Sequence, residues 1–179
     1  MKNLILGAVT GTFAFAIYAN TGSPYTGQQA GEIKALSQHE VVGYLSGKGL
    51  GYAKAAELNH FPGPRHVLDK ARELILTEEQ IKQSQAVFDA MKTQATMLGK
   101  QFVEKERELD WQFANNSIDT ASLKTLLLDI GTLQAKIRYV HLSAHLEQKA
   151  LLTKQQIQLY DQLRGYGKSN NGGHHHSHQ

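Results

Sequence analysis

A chain of 179 residues is long enough for one domain with a buried core. Its 19 Lys and Arg against 16 Asp and Glu leave a formal charge of +3, too small and too scattered for a nucleic-acid surface, which needs a clustered basic face. The absence of Cys excludes disulfides, thiolate metal sites and Cys nucleophiles, so any metal must be held by His, Asp, Glu or Met.

In chain order the first element is MKNLILGAVTGTFAFAIYAN, whose residues 1–19 read as an export signal. Lys2 makes a short basic head, Leu4 to Tyr18 an uncharged and mostly apolar run, and Ala19 a small residue at the cut. The run is short for a membrane span and diluted by small residues and threonines; an uncleaved N-terminal anchor is the competing reading. Both readings put the folded part outside the cytoplasm. Residues 20–36, with TGSPYTGQQAG, are polar and Gly-rich and read as a linker. A helical domain is expected over 37–166, and a flexible His-rich tail over 167–179.

Within that domain Pro occurs only in FPGP, and β-branched alternation is nearly missing, so the class is all-α. Ser37 and Glu40 form a capping box before VVGYL, a short helix stopped by SGKG. GYAKAAEL starts another turn or two, ended by Asn59 and the FPGP corner. A further short helix is expected from Arg65 to Leu74. The first long helix should run from Glu78 to Ala114, with Phe88, Met91, Ala95, Leu98 and Phe102 as the seam of an antiparallel bundle. NNSID breaks it. Leu123, Leu126, Ile130, Leu133, Ile137, Val140 and Ala144 then mark one stripe of a second long helix, and a last helix spans Lys154 to Leu163.

GKGLG lacks both the preceding strand and the terminal GK[ST] of a phosphate-binding loop, so its glycines read as a helix stop that permits close packing. EKERELD, Glu104 to Asp110, reads mostly as a solvated charged face. Glu106 and Asp110 share a side of it without a neighbouring nucleophile. Trp111 and Phe113 read as packing at the tip between the long helices. No catalytic constellation or cofactor pattern is visible, and an enzyme is not expected.

LTEEQI, Leu76 to Ile81, recurs as LTKQQI, Leu152 to Ile157. In each copy Thr is an N-cap whose hydroxyl accepts from the backbone N–H three residues on, and the Gln there reaches back to the Thr N–H. Leu before the cap and Ile after the Gln have the spacing of a hydrophobic staple. The stretch implies no nucleophile or base. It is architectural.

Among nine His, His141 and His145 in VHLSAHLEQK stand four apart, one turn apart on one helical face and within reach of a single metal ion. They flank the apolar stripe, so two half-buried histidines bonded to neighbouring helices is the equally open reading. His66 precedes the first LTxxQ by about ten residues, as the pair precedes the second, and an antiparallel hairpin would bring the two places together. His60 and His39 read as turn and surface residues. His174, His175, His176 and His178 form a loose metal-collecting tract in the tail.

Two LTxxQ stretches, an export signal and long antiparallel helices together resemble the bacterial periplasmic family of Spy/CpxP chaperones and nickel/cobalt-resistance sensors, over roughly Leu36 to Tyr166. YLSGKGLGYAKAAELNHFPGPRHVL before the first copy resembles the metal-sensor branch. The resemblance implies a four-helix hooked hairpin that pairs as a homodimer, in the periplasm, with a membrane sensor or unfolded clients as partners. It also implies ligands on the first helix, a carboxylate on the first long helix, and a His-x-x-x-Met pair. His141 matches the His of that pair, His145 stands in the Met position, and His66 matches a first-helix His with one residue of slack. Lys70 replaces the second first-helix His, and the carboxylate position falls beside Phe88, making Asp89 the nearest acid. Imidazole in place of a thioether leaves Zn, Cu, Ni and Co all open, with the affinity order favouring copper.

The resulting expectation is a metal-binding protein of metal-stress sensing or buffering, with His66, His141, His145 and Asp89 as the folded site. The competing expectation is an ATP-independent chaperone or adaptor.

Overall fold

The computed structural model describes residues 22–167. The expected export signal, residues 1–19, and the tail histidines lie outside the described residues. The chain divides into two compact units, Met1–Ala30 and Gly31–Gln179; the described part of the first consists of turns.

The second unit is all-helical, with six helices and no strand among the described residues: α1 (Gln38–Leu45), α2 (Lys54–Glu57), α3 (Pro64–Asp69), α4 (Glu78–Ala114), α5 (Thr120–Ala150) and α6 (Lys154–Leu163). Four of them begin with a capping box: Ser37 with Glu40, Thr77 with Gln80, Asp119 with Ser122, and Thr153 with Gln156. Each satisfies backbone donors that have no partner inside the helix and contributes about 1 kcal/mol. α3 starts instead with Pro64 in its first turn, where the missing N–H costs nothing.

The two long helices pack together. Ser84, early in α4, accepts from Gln148, late in α5, at 3.0 Å. Lys105, late in α4, pairs with Asp129, early in α5, at 3.2 Å. The contacts therefore pair in opposite chain order. Leu126, Ile130, Leu133, Ile137, Val140 and Ala144 of the expected α5 stripe are all buried, and Leu123 half-buried. On α4, Ala95 and Phe102 are buried while Phe88, Met91 and Leu98 are half-buried.

Phe102, Val103, Ile130, Leu133 and Ile137 form one core cluster with Tyr44 of α1 and Ile33. α1 reaches α4 over Gly99: a Cβ there would stand 2.2 Å from the Tyr44 carbonyl oxygen, so only glycine admits this approach. A second cluster, Val67, Leu74, Leu152 and Tyr160, lies where α3 and α6 meet.

Four expectations change. α3 ends at Asp69, short of Leu74, because the chain turns so that Leu74 enters the second cluster, with Ile75 at φ +50° before the α4 cap. The last residues of the expected linker are docked: Ile33 is buried, and Lys34 binds Asp110 at 2.9 Å. Glu106 is buried rather than solvated, as its register carries it to the inner face of α4. Trp111 and Phe113 are exposed, at 60% and 55%.

Candidate functional site

α5 turns His141 and His145 inward because they flank its apolar stripe. Both rings are buried, at 3% and 7% exposure. His66, half-buried, comes from α3. All three line one open cavity of about 650 Å³, and the α1–α2 connection forms another wall. Gly47 and Gly51 hold that connection in left-handed conformations, φ +66° and +84°. At Gly63 a Cβ would stand 2.8 Å from His145 Cε1 and 3.0 Å from Nε2, so a side chain there would crowd the ring.

The ring nitrogens have different duties. His145 Nδ1 lies 2.7 Å from the Phe61 carbonyl, which can only accept, so Nδ1 donates. In the neutral ring that leaves Nε2 as the lone-pair nitrogen, the way an imidazole ligand's tautomer is normally set. His141 Nε2 is buried and has no hydrogen-bond partner. Such an unsatisfied group costs about 1–3 kcal/mol, which a ligand bound there would offset. Burial, then the charge of His145, holds His141 below the usual histidine range. Burial and then Arg164 do the same for His66, against the smaller pull of Glu57 and Asp69. Both rings are thus neutral near pH 7, the form a metal requires.

Glu57, at the end of α2, also lines the cavity and is the acid that spacing did not single out. Its Oε1 accepts from Tyr160 Oη at 2.7 Å, Arg164 Nε at 3.1 Å and Tyr166 Oη at 3.3 Å. Its Oε2 is buried without a hydrogen-bond partner, 3.9 Å from His145 Nδ1. In the sequence Glu57 looks like any polar residue of AKAAEL. Only the return of α6 beside α2 reveals its partners.

Asp89 stands apart. It is exposed on α4, accepts from Gln85 one turn earlier at 2.9 Å, and does not line the cavity, although Phe88 does. His60 is exposed, at φ +65°, with its Nδ1 2.7 Å from Asp161 Oδ2. His39 is exposed within the first capping box. The tail residues His174, His175, His176 and His178 lie outside the described residues.

The donor types around the cavity suit a borderline divalent cation. Their arrangement is looser: among the described residues no group of three or more His, Cys, Asp or Glu is set to hold a metal ion as it stands. His66, His141 and His145 share a cavity, not an assembled coordination sphere.

The LTxxQ stretches meet at the neighbouring end of the fold. Both caps form as expected, and the two glutamines also bind each other: Gln80 Nε2 donates to Gln156 Oε1 at 2.9 Å, and Gln156 Nε2 to Gln80 Oε1 at 3.0 Å. Each amide reaches a carbonyl beside the other's cap as well, Gln80 to Leu151 O at 2.8 Å and Gln156 to Leu74 O at 3.3 Å. The repeat is a reciprocal clamp between the starts of α4 and α6. Of the expected staples, Leu76, Leu152 and Ile157 belong to the second cluster, whereas Ile81 is exposed.

Compared with known proteins, the chain matches no family model, no curated protein and no solved structure.

Proposed function

We propose that the protein binds a divalent transition metal, as part of metal-stress sensing or buffering outside the cytoplasm, on a scaffold of the LTxxQ type. The observation that carries this reading is one cavity lined by three imidazoles, with His141 Nε2 unpartnered and His145 Nδ1 occupied by a carbonyl. His141 and His145 are the main ligands, His66 the third, and Glu57 the carboxylate in preference to Asp89. Zn, Cu, Ni and Co remain the candidate ions, and the tail histidines add a loose second store. His66 of α3 and His141 and His145 of α5, holding one ion between them, would join the two helices and shift a packing equilibrium toward the joined state, for a membrane partner to read. In this reading the long helices form a hooked hairpin that pairs as a homodimer in the periplasm. No helix of the described residues is long and apolar enough to cross a membrane.

The test is metal stoichiometry from native and denatured mass, on the full chain with His174, His175, His176 and His178 changed to Ala. A tightly held ion is expected, and loss of it in the same background with His141→Ala and His145→Ala. Unchanged tight binding in that variant removes the site.

A second reading, an ATP-independent chaperone or adaptor, is favoured by the exposed apolar side chains Leu127, Leu128, Tyr139 and Leu146 on α5. Suppression of client aggregation that persists after metal removal supports it; no suppression leaves the metal reading alone.

A further inference from the structure

The metal reading leaves most of the cavity unexplained. A bare ion with its ligands needs far less than about 650 Å³, a volume within the range of small-molecule sites. Its walls also carry more cationic than anionic side chains, an excess that metal binding does not use. Lys48, Lys54, Arg65, Lys92 and Arg164 line it, against Glu57 as the sole carboxylate. Arg65 is paired with Asp69, and Arg164 with Glu57. Lys48, Lys54 and Lys92 have no carboxylate partner among the described residues. Leu50, Phe88 and Met91 supply apolar wall between the charges.

Deeper in, the unmet groups want the opposite of an anion. Glu57 Oε2 can only accept, and it is buried without a partner. His145 Nε2, beside Gly63, is an acceptor in the neutral ring. His141 Nε2 is buried and unpartnered, and the ring can take either role. A molecule that fits carries a negative group for the lysines, a donor for Glu57 and the imidazoles, and an apolar body for the wall.

We infer that the cavity between the α1–α2 connection, α3 and α5 binds a small hydroxy- or amino-carboxylate with an apolar side chain. The carboxylate meets Lys48, Lys54 and Lys92 at the mouth, the hydroxyl or ammonium donates to Glu57 Oε2, and the side chain covers Phe88 and Met91. The donor would meet the same Glu57 and imidazoles that the metal reading uses, so molecule and ion compete there. Occupation does not require a metal, and the metal-stripped protein tests this inference apart from that reading.

The test is titration of the full chain, stripped of metal and dialysed free of chelator, with L-phenylalanine, phenyllactate, 3-phenylpropanoate and phenethylamine. Binding is followed by NMR of the histidine rings. Shifts of the His66, His141 and His145 signals are expected with phenyllactate or phenylalanine; which of the two binds more tightly identifies the donor. Loss of the donor in 3-phenylpropanoate, and loss of the carboxylate in phenethylamine, should each weaken binding at least about tenfold. The exposed Lys48→Glu and Lys54→Glu double variant, whose fold the same spectra report, should weaken the acids by a similar factor and not weaken phenethylamine, whose ammonium the new carboxylates attract. Absence of shifts with both acids at millimolar concentration overturns the proposal. So does phenethylamine binding as tightly as they do, or acid binding indifferent to the lysine changes.

Discussion

Glu106 is the acid of the EKERELD run that the core retains. Burial alone raises its carboxyl above the ordinary range. A folded-state value above the unfolded one means that the charged form is disfavoured in the fold. The penalty therefore grows as pH rises from the unfolded value toward the folded one, and is complete above it. Glu106→Gln, which keeps the shape without the charge, should raise Tm at pH 7.5 and lose that advantage near pH 4. An equal or larger gain at the acidic end would mean that the charge is not the cause. The histidines have the opposite sign. His66 and His141 are held below their ordinary value, so as pH falls through about 6.5 the unfolded chain takes up protons before the folded one. Their contribution is intact above that pH and drains away below it. Thermal melts from pH 7.5 to 5.5 should show falling Tm, and His141→Gln should flatten the fall; a slope unchanged by the substitution would clear His141 of it.

Between elements, the Gln80–Gln156 pair predicts energetic coupling that a simple pair of caps would not produce. Each single change to Ala removes a capping bond of about 1 kcal/mol and strips a partner from the other amide. The double variant should therefore cost less than the sum of the singles, by about 0.5 kcal/mol or more in urea unfolding. Strict additivity would reduce the clamp to two separate caps. The caps themselves were legible, because Ser, Thr and Gln at fixed offsets act locally: α4 begins and ends at the expected residues Glu78 and Ala114, and α6 at Lys154 and Leu163. The clamp was not legible. It depends on which helix starts lie side by side, and nothing local encodes that. The same limit explains α3, where Leu74 follows a distant cluster instead of helical propensity, and Trp111 and Phe113, whose aromatic character said nothing about where they would find cover.

At the scale of the whole molecule, the helical class and the α5 stripe could be read from periodicity, and the inward lean of His141 and His145 came with the stripe. Their cavity with His66 followed from the pairing of distant segments, which the sequence suggested through parallel spacing ahead of each LTxxQ. Glu57, Lys48 and Lys54 could not be read that way, since they come from short, aperiodic segments brought in by the close glycine contacts of the α1–α2 connection and Gly63, to stand beside Lys92 of α4. Asp89 illustrates the reverse error of register: one residue along from Phe88, which borders the cavity, it faces solvent. Central to the proposed function is that imidazoles from α3 and α5 serve a single ion. X-ray absorption on the nickel-loaded full chain, with the four tail histidines replaced by Ala, counts those imidazoles directly. The count should fall when His66, His141 or His145 is individually changed to Ala; a spectrum that none of the three substitutions alters would contradict the shared site.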